Sequence, residues 1–228
     1  MIVRILSAAT LALALTVSAA SAESYKVGSE GAYPPFNTKD TSGNIVGFDI
    51  DIAMAICAEM KADCTVVGQD WDGMIPALQN KKFDFVVASM SITEERQKAV
   101  SFTDPYYRNK LQYVGKKGAD LDITAEGLKG KSVGAQRATI AAEWLEKNAP
   151  GVVVKLYDTQ ENAWLDLDAG RTDAVLADVF VAYDWLQSDT GKGFEFKGDP
   201  VFDDDKIGIA VRKEDTELLA KLNTALKA

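Results

Sequence analysis

The chain reads as an α/β protein of two similar lobes, and three features of its 228 residues point there. Short apolar runs alternate with helical patterns along its length, the signature of layered strands and helices. A seven-residue pattern occurs twice, as KFDFVVA (Lys82–Ala88) and RTDAVLA (Arg171–Ala177), each followed by a polar residue, Ser89 or Asp178. Upstream, Lys26–Gly28 matches Ser132–Gly134, and each Val-Gly opens a polar loop, SEGAY (Ser29–Tyr33) or AQRAT (Ala135–Thr139). Chance matching of common residues is the competing account; otherwise the repeat implies two copies of one strand-and-loop unit. Ligands of such sheets sit beyond the carboxyl ends of the strands, so all four loops are expected to face one cleft.

Taken in order, the chain begins with Arg4, an apolar stretch from Leu6 to Val17, and a small-x-small site at Ala20–Ala22. That is a secretory signal expected over residues 1–22, too short for a membrane span. Tyr25–Gly28 reads as a strand. Asp49–Met60 reads as a helix, apolar at Ile50, Ile52, Ala53, Ile56 and Cys57. Cys64–Val67 is a strand, Gly73–Asn80 a short helix, Phe85–Ala88 a strand and Thr93–Ala99 a helix. Leu111–Gly115 starts the second series. Ser132–Ala135, Val152–Tyr157 and Ala174–Ala177 are strands, alternating with helices at Ala138–Asn148, Thr159–Ala169 and Val179–Gln187. Lys206–Val211 closes as a strand and Thr216–Ala228 as a helix.

Composition narrows the function. Removing residues 1–22 takes away only Arg4, leaving 24 basic and 34 acidic residues and a net charge of −10. Nucleic acid and anionic membrane are poor partners for that surface. The chain has no histidine, which excludes a histidine base, a Ser-His-Asp triad and histidine-ligated zinc. No cofactor is expected. Cys57 and Cys64 are the two cysteines. In an exported chain they fit either one disulfide, pinning a helix end to the next strand, or two buried thiols.

The site candidates lie at the strand ends. In ASMSITEER (Ala88–Arg96), Ser91-x-x-Glu94 reads as a capping box that starts a helix near Ile92 or Thr93. The first N–H groups of that helix would welcome an anion, and Arg96 can offer a carboxylate a two-pronged donor. Ser89 and the Ala88 carbonyl complete a set suited to a zwitterion. A capped helix with a surface arginine paired to Glu95 or Asp104 explains the same stretch. Asp178 either takes an ammonium or caps its own helix, and Thr139 either caps a helix or directs N–H groups at the same carboxylate. In the first lobe Glu30, Tyr33 and Trp71 supply an acid and two aromatic faces for a flat or cationic side chain. Core packing is the other reading for both aromatics.

The segments GSEGAYPPF, GFDIDIAMAICAEM, DWDGMIPAL, ASMSITEER, FTDPYY, LKGKSVGAQ, DAGRTDAVLAD and VRKEDTEL run through the whole mature chain. In that order it resembles the periplasmic amino-acid-binding proteins of ABC importers, nearest the lysine-arginine-ornithine and histidine binders and their opine-binding relatives. The resemblance implies a two-lobed type II periplasmic binding protein fold with two crossover strands. Lobe 1 is then 23–109 plus 206–228, with a C-terminus short for the family, and lobe 2 is 110–205. It implies that Arg96, helped by Ser91 and the Thr139 amide, holds a ligand carboxylate. Asp178 and Ser89 then hold the α-ammonium, with Glu30, Tyr33, Trp71, Ala88 and Gln136 also at the ligand. It implies the Cys57–Cys64 disulfide.

The implied partners are a free amino acid, arginine first, and an inner-membrane permease with its ATPase; the protein is expected to be a periplasmic monomer. Three departures from the family pattern bear on the side chain bound. Ala88 replaces a serine, Ala138-Thr139-Ile140 replaces a loop richer in hydroxyls, and Glu30 stands where aspartate is common. Rival readings are an opine or general polar amino-acid binder, a sensor module, or an exported dehydratase of cyclohexadienyl substrates with Glu30 or Asp178 as acid or base.

Overall fold

The computed structural model describes residues 22–228, so all of the expected signal segment except Ala22 lies outside the described residues. The chain forms two five-stranded sheets, each carrying helices, and one small sheet. The first series comprises β1 (Ser24–Ser29), β2 (Ala32–Tyr33), β3 (Asn37–Lys39), β4 (Ile45–Val46), α1 (Phe48–Glu59), β5 (Asp63–Gly68), a 3-10 turn (Trp71–Gly73), α2 (Met74–Gln79), β6 (Phe85–Val86), α3 (Glu94–Ala99) and β7 (Ser101–Phe102). β8 (Tyr107–Lys116) leads into β9 (Ser132–Gln136), α4 (Ile140–Asn148), β10 (Val153–Tyr157), α5 (Gln160–Asp168), β11 (Ala174–Asp178) and α6 (Val179–Gln187). A second 3-10 turn (Gly191–Gly193) precedes β12 (Phe194–Ile207), and β13 (Ala210–Val211) and α7 (Thr216–Leu226) close the chain.

The first sheet has strand order β5-β1-β6-β13-β7 and the second β10-β9-β11-β8-β12. β1 runs parallel to both neighbours, as does β9, so the loops after β1, β6, β9 and β11 leave from carboxyl ends. This is the placement expected from the repeat. Strands packed on both faces read as unbroken apolar runs, and every residue of β11 is buried. α1 buries Ala53, Ile56 and Cys57, spaced three or four apart on one face, against Leu218 and Leu222 of α7. Cys57 and Cys64 form a disulfide joining the last turn of α1 to β5. Of the two readings the sequence left open, the disulfide holds.

β8 and β12 form the connection between the sheets. They pair antiparallel from Phe194–Lys116 to Ile207–Tyr107, with irregularities between Lys197 and Phe202 and between Phe202 and Asp205. The expected single strand Lys206–Val211 is two: β12 ends at Ile207 in one sheet and β13 resumes at Ala210 in the other. The break is at Gly208, whose N–H reaches the Met90 carbonyl and where an added Cβ would stand 2.8 Å from Ile92. A side chain there would push the end of Ile92 aside, and the chain turns at this glycine to change sheets.

Candidate functional site

One cavity of about 300 Å³ lies where the strand-end loops of the two sheets meet. It is lined by Glu30, Tyr33, Trp71, Ala88, Ser89, Ser91, Arg96, Gln136, Thr139, Ile140 and Asp178. All ten expected ligand residues are brought together, joined by Ile140.

Arg96 sits in the third turn-forming position of α3 and is 8% exposed. Burial pulls its pKa down, while Glu143, Asp205 and Asp178 favour the charge. Its Nη1 donates to the Ser91 carbonyl at 2.9 Å and its Nη2 to the Ala138 carbonyl at 3.0 Å. The guanidinium carbon lies 5.1 Å from the centre of the Trp71 ring. A surface arginine paired to Glu95 or Asp104 is therefore not what forms; Glu95 pairs instead with Lys98.

The expected capping box does not form. Thr93 is the N-cap of α3, accepting from the Arg96 N–H at 3.1 Å. Ser91 is drawn into an antiparallel bridge with Ile207, and its hydroxyl donates to Asp205 at 3.3 Å. The extended backbone at Ser91 removes it from the helix end two residues before the cap. Thr139 does cap α4, accepting from Ala142 N–H while donating to the Gln136 carbonyl at 2.7 Å. The hydroxyl proton is thus spent, and the donor Thr139 can offer a ligand carboxylate is its backbone N–H.

Ser89 has φ of +51°, a left-handed conformation that costs energy for any residue with a Cβ. Asp49 fixes it there. Fully buried, Asp49 accepts from Ser89 Oγ at 2.9 Å, Asn37 Nδ2 at 2.8 Å and Tyr106 OH at 2.6 Å. Burial still raises the Asp49 pKa against those three bonds. With its proton given to Asp49, Ser89 Oγ has lone pairs left for an ammonium.

Glu30 leaves the end of β1 and is 8% exposed. Its Oε1 accepts from Gln136 Nε2 of the second sheet at 2.7 Å, and the same amide also donates to the Asp158 carbonyl at 3.1 Å. Among the described residues no cation forms an ion pair with Glu30. Burial pushes its pKa up to about 7; the Gln136 bond opposes this and the nearby charges of Asp70 and Asp72 add to it. Tyr33 and Trp71 satisfy both readings offered for them. Tyr33 packs with Phe36 and Val181, and Trp71 with Met74 and Leu78, while both also face the cavity.

Asp178 is the N-cap residue of α6 by position, but its side chain makes no cap bond. It is 7% exposed, and burial with the charge of Asp205 raises its pKa to about 7, opposed by Tyr33, Asn109 and Arg96. Among the described residues no cation forms an ion pair with Asp178, so it can take a ligand ammonium. Asp205 itself was not anticipated. Within VFDDDKI it reads as one of a solvated acidic run, yet it is 2% exposed, held by Asn109 Nδ2 at 2.9 Å and by Ser91. Asp49 was missed too, although it shares the buried stripe of α1 with Ala53, Ile56 and Cys57.

The cavity wall thus carries one fixed cation, Arg96, and two carboxylates, Asp178 and Glu30, each buried and none paired off with another inside the wall. Such a set receives an anion at one point and cations at two others. Among the described residues there is no cluster of three or more carboxylates or cysteines placed to hold a metal ion.

The chain matches the bacterial extracellular solute-binding proteins, family 3, over residues 25–228. It is 43% identical to the L-arginine-binding protein of Pseudomonas aeruginosa over 228 residues, 95% of this chain and 88% of the relative. Among solved structures it is similar to an ancestral arginine-binding protein bound to arginine. There the TM-score is 0.84, the identity 43%, and the coverage 90% of this chain and 91% of the other. It is also similar to an ancestral amino-acid-binding protein that is a precursor of cyclohexadienyl dehydratase, with TM-score 0.82, identity 34% and coverage 90% and 88%.

Proposed function

The chain belongs to the bacterial extracellular solute-binding proteins, family 3, and from that premise we propose that it captures a free cationic amino acid, arginine first, between its lobes. The capture serves delivery to an ABC transporter. The observation that carries the reading is the charge pattern of the cavity. One cation and two buried carboxylates mirror the one anion and two cations of an amino acid with a basic side chain. Arg96 takes the carboxylate, Asp178 with Ser89 takes the α-ammonium, and Glu30 takes the guanidinium or side-chain ammonium. A neutral amino acid leaves Glu30 buried without a counter-charge, which is costly.

Hydrogen bonds from Gln136 to Glu30, from Trp71 to the Ala138 carbonyl and from Arg96 to the same carbonyl cross the cleft. They form when the lobes meet, so ligand and closure reinforce one another through differential contacts. The lobes are residues 23–109 with 206–228, and 110–205, hinged on β8 and β12. The protein works in the periplasm as a monomer, recognised there by the permease. No chemical step is assigned, and Glu30 and Asp178 serve as charge partners.

A thermal-shift screen of the mature protein against the common amino acids, ornithine and citrulline tests the reading, because a ligand of the folded state raises the melting temperature. Arginine and ornithine are expected to give the largest shifts. A largest shift with a neutral or acidic amino acid contradicts the assignment of Glu30.

A further inference from the structure

We propose that Trp71 is a strut between the lobes, whose indole N–H grips the Ala138 carbonyl and so holds Arg96 in the plane that receives a carboxylate. The inference rests on the reading that the cavity takes an amino acid, and it gives Trp71 a task that stacking on a ligand side chain does not require.

Two donors of the first lobe converge on one oxygen. Trp71 Nε1 donates to the Ala138 carbonyl at 3.0 Å, and Arg96 Nη2 donates to the same carbonyl at 3.0 Å. A carbonyl oxygen has two lone pairs, so both bonds are served. The Arg96 guanidinium lies over the indole face, and its Nη1 is held at the other end by the Ser91 carbonyl. Ala138 meanwhile adopts φ of +55°, a left-handed conformation that a residue with a Cβ occupies only when its surroundings impose it. The two donors belong to the first lobe and the carbonyl to the loop before α4, so the arrangement exists only when the lobes are together.

Phenylalanine would supply the ring and the cation–π contact but no N–H. The strut is therefore a property of the indole. It acts on the group that binds the carboxylate, which every amino acid shares. Its loss must weaken all amino-acid ligands by the same factor and leave the choice among side chains unchanged. Because the bonds hold the closed arrangement, the weakening must appear as faster release. Glu30 acts the other way, on charged side chains alone.

Calorimetry and stopped-flow release with arginine and its neutral isostere citrulline, on the wild type and Trp71→Phe, separate these roles. Trp71→Phe is expected to weaken both ligands equally, by roughly fivefold, as loss of one buried neutral hydrogen bond implies. Release accelerates to match. In the wild type, the indole N–H resonance missing from Trp71→Phe is expected to move downfield when arginine is added, a readout that does not depend on the variant's stability. Unchanged affinity in Trp71→Phe, a loss confined to arginine, or an indole resonance that arginine does not move overturns the strut. A wild type that binds neither ligand overturns the amino-acid reading itself, which the variant's failure alone does not.

Discussion

Replacing Glu30 with glutamine tests the side-chain assignment at a single pair of atoms. The substitution keeps the shape of a side chain that is 8% exposed, but it removes the negative charge and changes what Gln136 Nε2, 2.7 Å away, can donate to. No protein cation loses a partner, since none forms an ion pair with Glu30 among the described residues. The cost should therefore fall on the liganded state. A hydrogen bond to a charged group contributes about 1.5–3 kcal/mol, which corresponds to roughly ten- to hundredfold in Kd. Arginine binding is expected to weaken by that factor at pH 8, where the wild-type carboxyl, with its pKa at about 7, is ionised. Citrulline, which carries a urea in place of the guanidinium, should change by less than about threefold. Isothermal titration of both ligands against both proteins reads the effect. Equal losses for arginine and citrulline, or no loss for arginine, would refute the reasoning that Glu30 pairs with a cationic side chain.

Other consequences follow from the same geometry. Arg96→Ala should abolish measurable binding of arginine and citrulline alike, a loss of at least about a hundredfold, because a buried charge pair is left with one member; retained affinity in calorimetry would remove the carboxylate clamp. The raised carboxyls of Glu30 and Asp178, both at about 7, hold protons in the folded protein where an unfolded chain has already released them. The ligand-free protein should thus lose stability as pH rises from about 4 towards 7, and a ligand cation should displace those protons. Arginine affinity is expected to climb with pH by up to roughly tenfold per unit for each proton displaced, flattening above about 7; a flat profile from pH 5 to 8 contradicts it. Gly28→Ala would place a Cβ 2.6 Å from the buried Phe83 ring. It should cost about 1–3 kcal/mol of stability, read as a lower melting temperature, and an unchanged one would mean that the ring has room to move.

Much of this architecture was legible in residue order because it rests on local signals. The repeat around Asp84 and Asp173 marked the central strands β6 and β11, and with them the loops that carry Ser89 and Asp178. Those carboxylates anchor their own lobes in the same way: Asp84 accepts from the Lys26 N–H, and Asp173 from the Ser132 N–H. The helices α1 and α6 declared themselves by spacing and by the residues at their ends. What stayed hidden is what tertiary packing decides. β12 carries the exposed Asp203 and Asp204 and the half-buried Lys206 around Asp205, so its polar run concealed a fourteen-residue strand and the buried Asp205 within it. The small sheet of β2, β3 and β4 is made of strands of two or three residues, too short for any period to show. The capping box at Ser91 failed for a similar reason. Thr93 offered an equally good cap, and the bridge from Ser91 to Ile207, distant in sequence, settled which hydroxyl was used.

Titration of L-arginine into the mature protein, refolded to remove any carried ligand and held at pH 8, tests the central claim most directly. The account predicts one site per chain, with citrulline binding at least about tenfold more weakly, the worth of a charged over a neutral hydrogen bond. Arginine binding no tighter than citrulline, or not at all, would contradict it.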